Sequence, residues 1–232
     1  MESAGSRRRS GLEQARDVLL ICALPLASAL TLFLAAGRLD LPFLWASVAA
    51  YAAAVAFNNL AMDPDLRRER LRPPPGGRGA GALPVVLRSA MLGSWLVAGL
   101  DVGRFHWSDS VPVALRVAAL VLYAGAVALQ FWILRVNRFF SSVVRVQADR
   151  GHKVIDIGPY GYIRHPGYLV GITSILGLAM APGSWCGVAI AALTIPVYIH
   201  RVLSEERFLT AELDGYREYA ARVRYRLISH VW

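Results

Sequence analysis

Residues 164–206 decide the fold of this chain and read RHPGYLVGITSILGLAMAPGSWCGVAIAALTIPVYIHRVLSEE. Two apolar arms, about Gly167 to Ala181 and about Trp185 to Leu203, lie on either side of Pro182–Gly183. Such a short Pro-Gly connection favours two antiparallel helices, because both residues end helices. The first arm has about 15 residues, fewer than the roughly 20 that cross a bilayer. The stretch therefore predicts a helical hairpin whose two ends lie on the same side of a membrane.

The chain outside the hairpin is also strongly apolar. Of its 232 residues, 56% are hydrophobic and only 18% are charged, which is not the composition of a soluble globular or disordered chain. Four apolar runs precede the hairpin, at about Val18–Gly37, Pro42–Met62, Leu83–Leu100 and Val111–Leu134. The sequence predicts an all-α, polytopic integral membrane protein with about six helical segments, the hairpin forming the last two.

The chain divides into two regions. Residues 1–134 hold the four N-terminal spans and a polar, Arg-rich stretch at 63–82, which is predicted to be a surface loop because Pro73–Pro75 would stop a helix. Residues 135–232 hold a long polar segment, the hairpin and a polar tail. From Glu205 to Arg226 apolar residues recur every three to four positions, which predicts an amphipathic helix, bent at Gly215, that lies on the inner membrane surface or packs over the spans.

Basic residues give the chain a net charge of +9. If the N-terminus lies inside and each segment crosses once, 21 of the 25 Lys and Arg residues lie in inner segments, two outside, and two (Arg88 and Arg116) within spans. Cytoplasmic loops collect such residues, so the charge indicates membrane topology rather than nucleic-acid binding. Both termini are expected in the cytoplasm. No metal site is predicted, since the two cysteines lie in separate apolar runs.

Polar residues with chemical potential cluster beside the hairpin. Residues 152–168 read HKVIDIGPYGYIRHPGY, and His200, Arg201, Glu205 and Glu206 follow the second arm. Pro166 suits the first turn of a helix, where unpaired backbone N–H groups can hold an anionic group. The hairpin is expected to bring Arg201 and Glu205 back to residues 164–165.

The same residues carry a family resemblance. The motifs are Gly158-Pro159-Tyr160, Arg164-His165-Pro166 with Tyr168, and Glu205-Glu206 after a helical hairpin. In combination they resemble the isoprenylcysteine carboxyl methyltransferase family, whose phospholipid N-methyltransferase relatives share this C-terminal pattern. Asn137-Arg138-Phe139-Phe140 resembles the bacterial members. The resemblance covers about Asn137 to Trp232, and the first three spans match only in hydropathy.

The resemblance implies S-adenosyl-L-methionine as methyl donor, bound from the cytoplasmic side, and makes residues 135–232 the cofactor-binding methyltransferase region. It implies a bacterial inner-membrane enzyme whose hydrophobic acceptor enters from the surrounding membrane lipids. Matching positions give the expected cofactor contacts: His152, Lys153, Val154, Ile155, Tyr160, Arg164, His165, Pro166, Tyr168 and Glu205. Arg201 is expected to face the acceptor, and Arg201, His165 and Glu205 are the predicted catalytic residues.

The residue types suit such a cofactor. Glu205 could pair with its ammonium group or a ribose hydroxyl, and His165 or a backbone amide with its carboxylate. Val154, Ile155 and the tyrosines would supply apolar and aromatic walls. Two other interpretations stay open at this point: Arg201 and Glu205 at i, i+4 could be an ordinary surface ion pair, and Tyr160 and Tyr168 could be interfacial anchors.

The acceptor has several candidates. A carboxyl group on an isoprenoid or other lipid-like molecule is the first, because Arg201 could bind it. A phospholipid amine and a small thiol are alternatives within the same enzyme class. A non-enzymatic transporter or assembly factor is the alternative from another class, although a transporter should show polar features in paired halves near the membrane centre. The oligomeric state is left open.

Overall fold

The computed structural model describes residues 11–71, 82–141 and 143–232. Regular structure in these ranges is helical. The α-helices are α1 (Gly11–Ala36), α2 (Pro42–Ala61), α3 (Pro64–Leu71), α4 (Ala82–Leu100), α5 (Val113–Val136), α6 (Pro166–Met180), α7 (Trp185–Ala192), α8 (Ile195–Glu212) and α9 (Tyr216–Arg222). A π-helical turn, Asp101–Phe105, continues α4, and two 3₁₀ turns occur at Ala148–Arg150 and Gly158–Gly161.

Four helical stretches in the described residues are long and apolar enough to cross a membrane: Pro42–Ala61, Pro84–Phe105, Val113–Val136 and Trp185–Glu212. Two shorter apolar helices, Ile21–Ala36 and Pro166–Met180, accompany them. The predicted all-α, polytopic membrane fold is confirmed.

Close backbone contacts hold the spanning helices together. A Cβ atom at Gly99 of α4 would overlap the carbonyl oxygen of Leu32 in α1, and one at Gly177 of α6 would lie 3.1 Å from the carbonyl oxygen of Ala119 in α5. Small residues allow helices in membranes to approach this closely, where packing rather than water exclusion drives association. The α1–α4 and α5–α6 pairs are the most extensive in the bundle.

The two ends of the bundle differ in character. The end at which α2, α5 and α8 terminate and α4 and α6 begin is called the site end here, and the opposite end the far end. At the far end Asp101 is fully buried and accepts hydrogen bonds from Ser108 N (2.9 Å), Ser108 Oγ (2.6 Å) and Ser184 Oγ (2.5 Å). Because Ser184 also accepts from Gly187 N (2.9 Å) at the start of α7, this network fastens the hairpin turn to α4.

The hairpin has the expected turn but a different second arm. This arm consists of two helices, α7 and α8, separated at Leu193–Thr194, because Pro196 lacks an N–H group and its ring would clash with a carbonyl oxygen of the preceding turn. Helix α8 then continues to Glu212, past the expected end at Leu203. The amphipathic segment therefore begins as part of α8. The chain turns at Gly215 (φ +80°) before α9, as expected.

The prediction that residues 63–82 form a loop is wrong for its first part, which is helix α3. Pro64 occupies the first turn of α3, where its missing N–H group is not needed. Asp63 caps the helix, because its Oδ1 accepts from Asp65 N at 2.9 Å, and Leu66 is 1% exposed. Pro73–Pro75 and the basic N-terminus (residues 1–10) lie outside the described residues.

Candidate functional site

A cavity of about 430 Å³ lies at the site end. Its volume falls within the range of small-molecule sites, roughly 300–1,000 Å³. The eleven residues singled out from the sequence all line it: His152, Lys153, Val154, Ile155, Tyr160, Arg164, His165, Pro166, Tyr168, Arg201 and Glu205. The structure therefore brings residues 164–168 and the start of the polar part of α8 together, whereas the binding and catalytic roles of these residues stay predictions.

Tyr168 connects the two arms of the hairpin. Its hydroxyl donates a hydrogen bond to Glu205 Oε2 at 2.5 Å and accepts one from Arg201 Nε at 3.1 Å. Since the phenol bonds to two charged groups of α8 inside the cavity, Tyr168 is not an interfacial anchor. The same contacts give Arg201 and Glu205 a shared partner on another helix, beyond what an isolated surface pair would have.

Tyr160 is also held inside the protein rather than at a lipid interface. It is 8% exposed, its hydroxyl accepts from Asn137 Nδ2 at 2.8 Å, and its carbonyl oxygen accepts from the Tyr219 hydroxyl at 2.8 Å. Burial raises the pKa of the Tyr160 phenol, so it stays protonated. Tyr160 thereby joins the end of α5 to α9 and forms part of the cavity wall.

His152 is positioned by the segment that precedes it. Its Nδ1 accepts a hydrogen bond from the backbone N–H of Gln147 at 3.2 Å, and its ring lies 4.5 Å from that of Phe139 between centroids. Burial, with the nearby charges of Arg145 and Arg150, lowers its pKa. The ring is therefore neutral at pH 7, with its proton on Nε2. Gln147 is itself buried and donates to Phe139 O at 2.7 Å, which fixes the segment.

Arg164 borders the cavity, but its guanidinium is bound within the protein. Nε donates to Glu206 Oε1 at 2.5 Å and a terminal nitrogen donates to Val223 O at 2.6 Å. Arg226 Nε donates to the other oxygen of Glu206 at 2.6 Å. This ion cluster fastens the tail across the start of α6. Backbone bonds from Arg164 N to Tyr225 O and from His165 N to Arg226 O, both 2.9 Å, support the same contact.

His165 lies between the cavity and this ion cluster. It is 5% exposed, and its Nε2 lies 3.4 Å from Glu206 Oε1 without meeting the geometry of a hydrogen bond. Nε2 forms no hydrogen bond with any other described residue. A buried polar nitrogen without a hydrogen bond costs free energy unless a ligand or water satisfies it. His165 therefore has an unused hydrogen-bonding position at the edge of the cavity.

Glu206 is a residue whose role the sequence did not reveal. It follows Glu205 directly, and consecutive helical residues point about 100° apart. One of the two carboxylates can therefore face the cavity while its neighbour holds Arg164 and Arg226. Two adjacent glutamates at the end of an apolar run were the sequence signal for such a role. Which of the two carboxylates faces the cavity depends on how α8 is rotated against α6.

Two glycines of α6 were likewise not identified as site residues. A Cβ atom at Gly167 would lie 2.6 Å from the Phe140 ring, and one at Gly171 would lie 2.6 Å from the Tyr198 hydroxyl. All four residues line the cavity. The spacing of four between the glycines is a sequence signal for close packing in membranes, and here it admits aromatic rings from the preceding loop and from α8.

The lining also fits the cofactor that the resemblance implies. S-adenosylmethionine carries a sulfonium, an ammonium and a carboxylate, so a site for it needs groups of both signs. The cavity presents the Glu205 carboxylate, the Lys153 ammonium and the Arg201 guanidinium. Half-buried Val154 and Ile155 supply apolar wall, and His165 Nε2 supplies an unused polar atom.

Comparison with known proteins supports the same class. Residues 115–214 match the family model described as phospholipid methyltransferase. The match begins within α5, earlier than the sequence motifs indicated, and ends just before Gly215.

Two curated proteins are similar to the chain. The cobalt-zinc-cadmium resistance protein CzcN of Cupriavidus metallidurans is 27% identical over 130 residues, 56% of this chain and 56% of that protein. The protein-S-isoprenylcysteine O-methyltransferase of Schizosaccharomyces pombe is 26% identical over 93 residues, 39% of each chain. The chain thus spans about half or less of the curated relatives it matches. The resemblance to the isoprenylcysteine carboxyl methyltransferases and their phospholipid-methylating relatives is confirmed for the region that contains the candidate site.

Proposed function

We propose that the chain is an integral membrane methyltransferase that uses S-adenosyl-L-methionine and acts on a lipid-like acceptor. The observation that carries this proposal is the convergence of the predicted site residues between positions 152 and 168 with Arg201 and Glu205 on one cavity at the site end. That cavity lies largely within the region that matches a methyltransferase family.

The bound cofactor would supply an activated methyl group on a positively charged sulfur. The protein then has to bind, orient and exclude water, since methyl transfer needs alignment of the two reacting atoms. Glu205, held by the Tyr168 hydroxyl at 2.5 Å, is placed to bind a cationic or hydroxyl group of the cofactor. His165 Nε2 and neutral His152 are placed to hydrogen-bond its polar groups. The tail, fastened through Glu206, closes this part of the cavity.

A carboxyl group on an isoprenoid or another hydrophobic molecule is the first candidate acceptor. A carboxylate oxygen would form the new bond to the methyl carbon while the carbon–sulfur bond breaks, so an anion and a sulfonium become an ester and a thioether. Loss of both charges favours this reaction in a dry site. Arg201, fixed by its bond to Tyr168, would bind the carboxylate. A phospholipid amine is the second candidate, because the matching family is described as phospholipid methyltransferase.

The proposed location is a bacterial inner membrane with the site end in the cytoplasm. The excess of Arg in the segments assigned to that side supports this orientation. The methyl donor is a polar nucleoside of the aqueous phase, so a site at the membrane surface gives it access, while the acceptor reaches the same cavity from the lipid.

Calorimetry with S-adenosylhomocysteine on the purified chain tests the proposal. The parent is expected to bind, and Glu205→Gln and His165→Ala are expected to weaken binding about tenfold or more, because each removes a polar contact in a buried site. Glu212→Gln is the matched control, since Glu212 is an exposed carboxylate on the same helix. Equal binding by Glu205→Gln, His165→Ala and the parent would show that the site assignment is wrong.

Transfer of radiolabelled methyl groups into membrane lipid extracts separates an enzyme from a transporter or assembly factor. We expect label in the lipid fraction with the parent and much less with Glu205→Gln. Saponification would then release the label from a methyl ester and leave it on a methylated amine.

A further inference from the structure

The cavity has a second wall, which is formed by the N-terminal spans. Pro84, Leu87 and Arg88 of α4 line it, together with Gln130 of α5. Positions i, i+3 and i+4 share one face of a helix, so α4 presents Arg88 to the cavity on an otherwise apolar face. These four residues are called the α4–α5 wall. Pro84, Leu87 and Arg88 precede the region that matches the methyltransferase family, residues 115–214.

Arg88 and Gln130 sit at similar depth. Arg88 is six residues from the start of α4 at Ala82, and Gln130 is six residues from the end of α5 at Val136. At 1.5 Å per residue, each lies about 9 Å from the site end of its helix. Arg88 is exposed and Gln130 is half-buried, so the polar ends of both side chains are accessible from the cavity that they line.

Neither side chain makes a hydrogen bond or an ion pair with any residue in the described ranges, 11–71, 82–141 and 143–232. A guanidinium and a carboxamide together offer N–H donors suited to carboxylate or phosphate oxygens. Both side chains border the same cavity, where a ligand can supply an acceptor to them.

The charge of the cavity favours an anionic ligand. Its described lining contains six Lys and Arg side chains and one carboxylate, that of Glu205. Arg145 pairs with Asp149, and Arg164 pairs with Glu206, both outside the lining. The remaining groups still carry more positive than negative charge. A sulfonium cofactor would add to this excess, because its ammonium and carboxylate cancel.

The packing of the helices indicates how an amphiphile could reach this wall. Helix α4 packs along α7 but makes no comparable contact with α8 in the described residues, although α4 and α8 both line the cavity. The half of α4 nearest the site end is therefore separated from α8. An apolar chain could lie between them while its polar end reaches Arg88 and Gln130.

We infer that Arg88 and Gln130 form an anchoring site for an anionic oxygen group, carboxylate or phosphate, of the amphiphilic acceptor. The inference rests on the proposed function and narrows its substrate class: the acceptor carries a negative charge and an apolar chain. Arg88 selects against acceptors whose only polar group is a cationic amine, because such a group would be repelled there. The two residues are specificity determinants, distinct from the predicted cofactor contacts.

Photolabelling tests the site on the full chain in nanodiscs of neutral phosphatidylcholine. The probe is a diazirine-bearing hexadecanoate, with hexadecanoate, hexadecyl phosphate, hexadecanol and hexadecylamine as chain-matched competitors. We expect the label on peptides of the α4–α5 wall. The anionic compounds are expected to compete about tenfold more strongly than the alcohol or the amine, because a hydrogen bond between charged groups contributes about this much to affinity. Stronger competition by hexadecyl phosphate would identify the natural ligand as a lipid with a phosphate headgroup. Stronger competition by hexadecanoate would identify it as a free acid. Both outcomes support the site.

Variants make the test specific. In Arg88→Gln, the potencies of the four competitors are expected to lie within about threefold of one another. Gln130→Leu is expected to weaken competition by the anions less than Arg88→Gln does. Arg88→Lys is expected to retain most of the preference for anions, because the positive charge remains. Arg38→Gln, a far-end arginine paired with Asp40 at 2.6 Å, controls for loss of one charge. The inference would be overturned if hexadecanol and hexadecanoate competed equally in the parent. It would also be overturned if Arg88→Gln weakened all competitors equally, or if the label were confined to peptides outside the cavity lining.

Binding of S-adenosylhomocysteine to the same preparations separates two kinds of failure. If the parent binds this nucleoside and shows no preference for anions, the anchoring site is wrong and the proposed function stands. If the parent binds no nucleoside, the proposed function is wrong whatever the competitors show. Unchanged nucleoside binding by Arg88→Gln also shows that this variant is folded.

Discussion

At the scale of single residues, the site depends on side chains that hold each other in place. Tyr168 is the clearest case, since one hydroxyl bonds to both Glu205 and Arg201. His152 is a second, because a backbone N–H group decides which of its nitrogens carries the proton. In both cases a neutral polar group fixes the geometry or protonation of a predicted binding residue.

Tyr168→Phe is expected to weaken nucleoside binding or methyl transfer about tenfold to a hundredfold, because it removes hydrogen bonds to two charged groups in a buried site. Calorimetry and initial rates measure the two effects. Tyr162→Phe is the control, since Tyr162 is 67% exposed. Equal loss in both variants would indicate that the phenol of Tyr168 has no special role.

The lowered pKa of His152 predicts a dependence of stability on pH. Its ordinary value is 6.5, and burial with the charges of Arg145 and Arg150 lowers it in the folded state. The unfolded chain therefore binds the proton more readily, so the free energy of unfolding falls as the pH drops below 6.5 and levels off below the lowered value. Above 6.5 this contribution is constant.

Thermal unfolding between about pH 5 and pH 8, where histidine titrates, measures this dependence. His152→Gln keeps a hydrogen-bond acceptor for Gln147 N but does not titrate. The melting temperature of the variant is expected to fall less steeply than that of the parent at acidic pH. Parallel curves for the two proteins would contradict the prediction.

At the scale of helices, the site depends on the close approach of the hairpin arms and on the tail that crosses them. Gly171 lets the Tyr198 ring lie against α6, and Glu206 joins α8 to the tail through Arg164 and Arg226. The first contact needs the absence of a side chain, and the second needs a buried charge with two partners.

Gly171→Ala is expected to destabilise the fold by about 1–3 kcal/mol, because its Cβ would overlap the Tyr198 hydroxyl at 2.6 Å. Gly125→Ala is the matched control on α5, where a Cβ would have nothing within 4 Å. The control is expected to be neutral or stabilising, since alanine is the better helix former. Thermal unfolding in detergent compares them, and equal shifts would exclude the packing argument.

Glu206→Gln is expected to lower stability by about 3 kcal/mol, because it leaves the buried Arg164 without its counter-charge. Release of the tail should speed trypsin cleavage after Arg222 and Arg224. Limited proteolysis followed by mass spectrometry measures this rate. Glu212→Gln, on the exposed side of the same helix, is expected to leave the rate unchanged, and a similar rate in both variants would refute the proposed role of Glu206.

At the scale of the whole molecule, both ends of the bundle contribute to one hairpin. The far end holds its turn through buried Asp101, and the site end holds its arms through Tyr168 and Glu206. Helix α6 spans the distance between them, so the far-end network stabilises the same helix that carries cavity residues at its other end.

Asp101→Ala is expected to destabilise the protein by about 2 kcal/mol or more, because it leaves Ser108 N and two buried hydroxyl groups without their acceptor. Asp109→Ala is the control, an exposed carboxylate of the same loop. Thermal unfolding measures the loss, and nucleoside binding below the melting temperature should be nearly normal. A melting temperature equal to that of the control would disprove the role of the network.

Sequence patterns alone determined the helical class, the order of the spans, the hairpin turn and the cluster of polar residues beside it. Each of these is a local property, since length, hydropathy and helix-breaking residues act over one or two turns. The motif spacing indicated the methyltransferase resemblance for the same reason: its residues lie in short continuous segments that can be recognised without knowing the packing.

The tertiary structure decided which groups face one another. In the tertiary structure Glu205 faces the cavity and Glu206 joins the ion cluster, while Asp101 is buried against the hairpin turn. The structure also replaces part of an expected loop with helix α3, and it places Arg88 and Gln130 in the lining of one cavity. These outcomes depend on how each helix is rotated against its neighbours, and packing sets that rotation. In apolar helices surrounded by lipid, hydropathy is similar on every face, so the sequence carries little information about which face turns inward.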